Sequence, residues 1–270
     1  MTLRWEILSP VLIVGSALVL VALERRFPYQ RNQRILREGF WTDLLLYGLV
    51  QSYFMGLLIK RLIELMDQAG GGLSRRHLVG GWPVWLQLLF FFVTHDLYIY
   101  LFHRAQHRFP ILWRVHEAHH SPRQVDWLSG TRSHSLEILI NQTIEFAPIA
   151  LLGAAPQVAL MKATLDAVWG MYIHSNLDVR TGWLQKIING PEMHRWHHTI
   201  DITEGGINFS TKFAFWDWLF GTAYLPAHKP RGYGVQGLDF PRGYLAQVAY
   251  AFRRERKAAE PVREAPGATG

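Results

Sequence analysis

The sequence predicts an all-α integral membrane protein, with about four to five membrane-embedded helices and a cytoplasmic helical cap. Three observations predict it. The apolar residues, 49% of a 270-residue chain, are gathered into long blocks rather than spread along it. Basic residues cluster at the ends of those blocks, where membrane proteins place them to fix orientation. Two of the blocks are joined by little more than Gly153 and Pro156, so they read as a helical hairpin.

The first block, Ile7–Leu23, carries no charge and is long enough to cross a bilayer core. "ERRFP" follows it where a signal peptide would have a small-residue cleavage motif, so it reads as a retained membrane helix. The second, Thr42–Met66, is interrupted by Lys60 and Arg61, which can snorkel to an interface. The third, Trp82–Phe102, ends directly on a histidine pair. Its Phe90, Phe91, Phe92, Tyr98 and Tyr100 read first as lipid-facing or packing residues and only second as pocket lining. The hairpin blocks, Leu136–Ala154 and Pro156–Ile173, contain charges and so enter the membrane partway or line a cavity. Residues 1–80 thus form N-terminal transmembrane helices and loops, 81–230 a unit that holds the remaining apolar blocks and the histidine motifs, and 231–270 a C-terminal segment. The charged, Pro/Gly-punctuated end of that segment reads as a disordered tail.

Loop charges set the orientation. Arg25, Arg26, Arg31, Arg34 and Arg37 follow the first block, and Arg104, Arg108, Arg114, Arg123 and Arg132 follow the third. The loop between blocks two and three has Arg75 and Arg76 alone. The amino terminus then lies outside, while the loops after the first and third blocks and everything past residue 174 lie on the cytoplasmic side. The net charge of +7 belongs to this pattern and does not imply a nucleic-acid partner. Cysteine is absent, which excludes a disulfide framework, a thiolate metal site and a cysteine nucleophile.

Histidine carries the chemistry. "FHRAQH" places His103 and His107 four residues apart, on one helix face. "HEAHH" groups His116, His119 and His120, and "PEMHRWHH" groups His194, His197 and His198, each as i, i+3, i+4. His174, at the inner end of the hairpin, falls level with them. All of these lie on the expected cytoplasmic face. Eight clustered histidines, nine with His174, exceed the needs of one ion and suit two ions with four or five ligands each. Imidazole alone does not choose between zinc, copper, iron and nickel. Glu117 and Glu192 read as partners for ring N–H groups rather than as ligands. His77, His95 and His228 read as ordinary satisfied polar residues.

The run of "DLYIYLFHRAQH", "LWRVHEAHHS", "TRSHSLE", "IHSN", "PEMHRWHH" and "WDWLFGT" resembles the membrane fatty acid hydroxylase and sterol desaturase superfamily over roughly residues 90 to 225. The resemblance implies a dimetal site with two iron ions, for which zinc can substitute in purified protein. Its ligands would be His103, His107, His116, His119, His120, His174, His194, His197 and His198, with His134 as a tenth. Ser135 follows His134 where the family often has Pro, and Asn208–Ser210 reads "NFS" where the family has "NYG". Asp217 and Asn176 join Glu117 and Glu192 as expected supporting residues, and Trp216, Trp218 and Phe220 as core residues. The implied reaction is O2-dependent hydroxylation or desaturation of a lipid C–H bond. Its electrons would come from a separate reductase or ferredoxin-like protein, since the chain has no GxGxxG motif after a strand. Two other classes compete: a histidine-rich membrane metal-binding protein or transporter, and a membrane zinc hydrolase. A transporter would place ligands within its spans, and the hydrolase would need HExxH where this chain has "HEAHH".

Overall fold

A computed structural model describes residues 4–200, 206–235 and 239–253. The expected disordered tail lies almost wholly outside them. Among the described residues the regular structure is helical, apart from two isolated bridges, Pro28 with Leu177 and Thr199 with Tyr233.

The apolar blocks become helices close to their expected limits. Helix α1 spans Trp5–Arg26 and closes on Arg25 and Arg26, whose charges suit a helix C-terminus. A π-helical stretch, Thr42–Gln51, runs directly into α2, Ser52–Ala69. Helix α3, Val84–Arg108, extends beyond the third apolar block to include both its histidines. Helix α4 covers Pro110–His120, α5 Ser135–Leu151, α6 Pro156–His174 and α7 Pro191–His197. Two short helices follow, α8 at Phe215–Leu219 and α9 at Tyr244–Tyr250. Helices α4, α6 and α7 each begin on proline, whose fixed φ suits the first turn and whose missing N–H costs nothing there.

Helices α5 and α6 form the expected hairpin. At its turn Gly153 has φ +64°, and a Cβ there would collide with the Ser74 carbonyl and His77. Helix α1 packs along α6 and α2 along α5, while α3 is held between the hairpin and α4. Two apolar clusters tie these contacts, one around Phe91, Ile149 and Val158, the other around Leu20, Met171 and Leu177.

Helix α1, the continuous Thr42–Ala69 helix and α3 are long and apolar enough to cross a membrane. Their outer faces stay bare: Val11, Val14, Leu18, Leu49, Phe54 and Trp85 are all exposed. Apolar surface of that extent is stable in lipid, not in water. The hairpin differs, because its Glu137, Glu145 and Lys162 turn inward and are buried. The aromatic expectations divide. Phe91 and Tyr100 are core residues, whereas Trp218 and Phe220 are each 43% exposed and lie beside exposed Leu219. Exposed aromatics of this kind are at home at a membrane interface, where core packing is not required of them.

Candidate metal centre

The four histidine-bearing helices end at one place. Phe109 is extended between α3 and α4, so the chain doubles back and sets "HEAHH" against His103 and His107. The ring centroids of His103 and His116 are 4.8 Å apart, as are those of His107 and His120. His174 is the last residue of α6; His194 and His197 lie on α7, with His198 as its C-cap. Gly130 admits the His174 ring, since a Cβ there would lie 2.6 Å from Nδ1.

These nine side chains form two groups. His103, His107, His116, His120 and His197 make one; His119, His174, His194 and His198 make the other. Within each group the candidate ligand nitrogens lie within 4.8 Å of one another.

The hydrogen bonds orient the rings. Nδ1 of His103 donates to the Phe209 carbonyl at 2.8 Å, that of His197 to Ile207 at 2.8 Å, and that of His119 to Arg132 at 3.1 Å. Nδ1 of His174 donates to Gly170 at 2.7 Å, and that of His116 to the Glu137 carboxylate at 2.8 Å. With Nδ1 holding the proton, Nε2 of each neutral ring is a lone pair. These lone pairs face one another: His103 and His116 Nε2 are 3.0 Å apart, and His119 and His174 Nε2 are 3.3 Å apart. Acceptors so close repel unless a cation lies among them. The donor set therefore fits metal ions, and outward-bonded Nδ1 atoms are how metal-binding imidazoles are held.

Charge points the same way. Burial holds His116, His119, His120, His194, His197 and His198 below the ordinary histidine range. For all but His119, neighbouring imidazoles deepen the effect. The rings are neutral at neutral pH and ready to ligate without losing a proton.

His134 is a correction to the expected set. Its Nδ1 accepts from the Leu136 N–H as the N-cap of α5, and its Nε2 donates to the Val248 carbonyl. Both ring nitrogens are committed to backbone, so neither is available to metal. The carboxylate that meets an imidazole is Glu137, three residues on in the same "TRSHSLE" motif. Its Oε1 accepts from both His116 and Gln106. Sequence reasoning stopped at the histidine of that motif and passed over the glutamate on the next turn.

The other expected supporting residues have other tasks. Glu117 pairs with Arg253 at 2.9 Å, Glu192 accepts from Gln185, and the Asn176 amide clasps the backbone of Gln30. Asp217 acts at one remove. It accepts from the N–H groups of Phe209 and Ser210 and from the Thr222 hydroxyl, fixing the strand of chain whose Phe209 carbonyl holds His103. Asn208 of the "NFS" segment, at φ +54°, ties the same stretch to the Met193 and Tyr224 backbone. Asp43, which no motif marked, holds Arg132 in a bidentate pair and Arg37 at 2.7 Å. It thereby steadies the loop whose Arg132 carbonyl receives His119.

A cavity of about 220 Å³ opens against the cage, bounded by His103, His116, His119, His174 and His194 on one side. Ile99, Phe102, Trp169 and Ile173 give it apolar walls.

The fold and site define an all-helical membrane protein whose double cage of imidazoles fits metal ions. The chain belongs to the fatty acid hydroxylase family, whose pattern residues 88–222 match. It is similar to an ornithine lipid hydroxylase of Rhizobium tropici, 29% identical over 91% of this chain and 76% of that protein. A very-long-chain aldehyde decarbonylase of Oryza sativa subsp. indica is 30% identical over 72% of this chain and 69% of its own length. The human alkylglycerol monooxygenase is 30% identical over 60% of this chain, which spans only 35% of that longer protein. No solved structure gives a significant match.

Proposed function

We propose that this protein is an O2-dependent di-iron oxidoreductase that hydroxylates or desaturates a C–H bond of a lipid. One observation carries the reading: nine imidazoles, eight buried and His107 partly so, divide into groups of five and four whose candidate ligand nitrogens converge. Membership of the fatty acid hydroxylase family and likeness to lipid hydroxylases and monooxygenases support lipid as the substrate class. Iron would supply the oxidising power that ordinary acid–base groups lack. Zinc is the expected substitute in overexpressed protein, because imidazole sites bind it more tightly than ferrous iron.

The protein's own residues do the rest. Backbone carbonyls and Glu137 fix the ring orientations, and Asp217 and Asn208 fix the segment carrying two of those carbonyls. The apolar walls of the cavity admit a lipid segment and exclude water from the reacting carbon. The arginine-rich loops after the first and third blocks support a cytoplasmic position for the end of α3 and the cage with it. There a separate electron-donor protein can reach it. The hairpin α5–α6 lies beside the three spanning helices, its Gly153 turn meeting the Ser74–His77 loop between the second and third of them, which brings the count of embedded helices to five. The chemistry resides in 81–230, anchored by the helices of 1–80. A transporter is disfavoured because the ligands sit at helix ends beside one closed cage rather than along a path.

Lipid mass spectrometry of cells with and without the protein tests the proposal. The expected outcome is a lipid species changed by one oxygen or by two hydrogens. An unchanged lipidome in iron-replete, aerated cells overturns it.

A further inference from the structure

The chain beyond the hairpin returns to the level of the spanning helices. Asp96 precedes His103 on α3 and lies about 10 Å further from the cage along the helix axis. Its carboxylate accepts from the backbone N–H groups of Lys212 and Phe213, from the Thr211 hydroxyl and from Trp216 Nε1. The Phe213 ring meets that of Phe92, one further turn away, with centroids 5.9 Å apart. Nearer the cage, Phe220 stacks on Tyr100 at 5.2 Å. Residues 211–220 thus lie along α3 between Phe92 and Tyr100. They flank a helix long and apolar enough to cross a membrane, well short of its end.

A second segment accompanies them. Trp218 Nε1 donates to the Gln185 carbonyl at 3.0 Å, and the Asn189 N–H donates to the Lys212 carbonyl at 2.7 Å. These bonds fix the short 3-10 helix Gly182–Lys186 and the turn after it against α8. That helix is inside out. Gln185, which bonds Glu192, is 2% exposed, whereas Trp183 is 69% exposed, and Leu184, Ile187 and Ile188 are exposed with it. Helix α8 has the same bias: Asp217 is fully buried and Leu219 is 67% exposed, between Trp218 and Phe220. Polar side chains inside and large apolar ones outside reverse the pattern of a water-facing surface.

We propose that Gly182–Ile188 and Trp218–Phe220 form one platform immersed in the membrane leaflet on the cage side, so that the chain re-enters the membrane after α6 without crossing it. Its partner is the lipid surface itself. Three observations choose lipid over a protein. The platform sits at the depth of the apolar stretch of α3. It is continuous with the bare face of that helix, where Leu101, next to Tyr100, is exposed. Exposed Lys186, its Nζ 5.8 Å from the centre of the Trp218 ring, and exposed Arg180 can extend to headgroups while their stems follow the apolar surface. Thr211 and Lys212, where the second segment begins, line the cavity beside the cage. The inner side of this segment is cavity wall, and its outer side meets lipid. The inference stands apart from the oxygenase reading, since it concerns only where these residues lie.

The absence of cysteine makes the test direct. Ile187→Cys and Leu219→Cys each supply a single thiol for a nitroxide spin label. The labelled full chain is placed in nanodiscs of phosphatidylcholine and phosphatidylglycerol, and electron paramagnetic resonance reads collisions with dissolved O2 and with a water-soluble nickel chelate. Leu18→Cys on α1 is the lipid reference, and Arg123→Cys, an exposed loop position, the aqueous one. Both platform labels should follow Leu18, with frequent O2 collisions and loss of nickel collisions. Labels that meet nickel as readily as the Arg123 label overturn the proposal. Labels shielded from both reagents overturn it too, because a protein then covers the face, and so does a split between the two positions. Both side chains are exposed, so neither substitution disturbs the packing; should one variant not fold, the other decides.

Discussion

Two clusters of ligand-type side chains lie along α3, and they differ in where their cation comes from. The triad of His95, Glu145 and Asp166 contains its own, the Lys162 ammonium. The histidine cage contains none: its Nε2 atoms confront one another at 3.0 Å between His103 and His116 and at 3.0 Å between His174 and His194. Proximity of ligand atoms, which both clusters share, does not define a metal site. What defines it is lone pairs that converge with no proton or protein cation between them. The first cluster is a closed ion network of the kind that gives structural specificity; the second is open to metal.

Four experiments press on that difference. The largest effect is expected at the cage. His119→Ala or His197→Ala should lower product formation at least ~100-fold, more than the loss typical of an outer partner of a ligand. The protein should still insert in the membrane. Lipid mass spectrometry with membrane fractionation reads both, and unchanged turnover in either variant removes the catalytic role. Lys162→Met should act oppositely, destabilising the fold by about 3–5 kcal/mol because it leaves Glu145 buried without its counter-ion and Asp166 with Lys212 alone. Metal content per folded chain should not change, as thermal unfolding and metal analysis of the same sample will show.

pH separates the clusters next. The α4 and α7 histidines titrate below their ordinary value in the folded state, so the unfolded chain binds more protons below about pH 6.5. Their contribution to stability is full above that pH and is lost as pH falls. Metal retention follows the same sign. A titration from pH 7.5 to 5.5 should release cage metal, and constant occupancy across it would contradict the neutral-imidazole assignment. The smallest effect belongs to His134→Ala, which removes an N-cap and should cost about 1 kcal/mol in stability. Metal content and product should remain, because both nitrogens of that ring bond backbone.

Much of the site was legible because helical spacing is local. His103 and His107, or His194, His197 and His198, share a face by periodicity alone, and apolar blocks without charge announce α1 and α3. The hairpin was readable from Gly153 and Pro156. His134 was misassigned because a histidine in a motif looks the same whether it caps a helix or binds a metal; only the Leu136 N–H on one side and the Val248 carbonyl on the other distinguish them. Glu137 and Asp43 were passed over for the converse reason. Their partners, His116 and Arg132, are 21 and 89 residues away, and no local pattern encodes such a pairing.

The sequence by itself determined which segments are apolar helices and which helix faces carry imidazoles, since both follow from short-range periodicity and composition. Only the tertiary structure decided how the nine rings divide into five and four, which carboxylate steadies them, and that Lys162 fills the place between His95, Glu145 and Asp166. Those outcomes depend on the packing of distant helices and on which buried donor finds which acceptor, and burial makes each such pairing too costly to leave unmade.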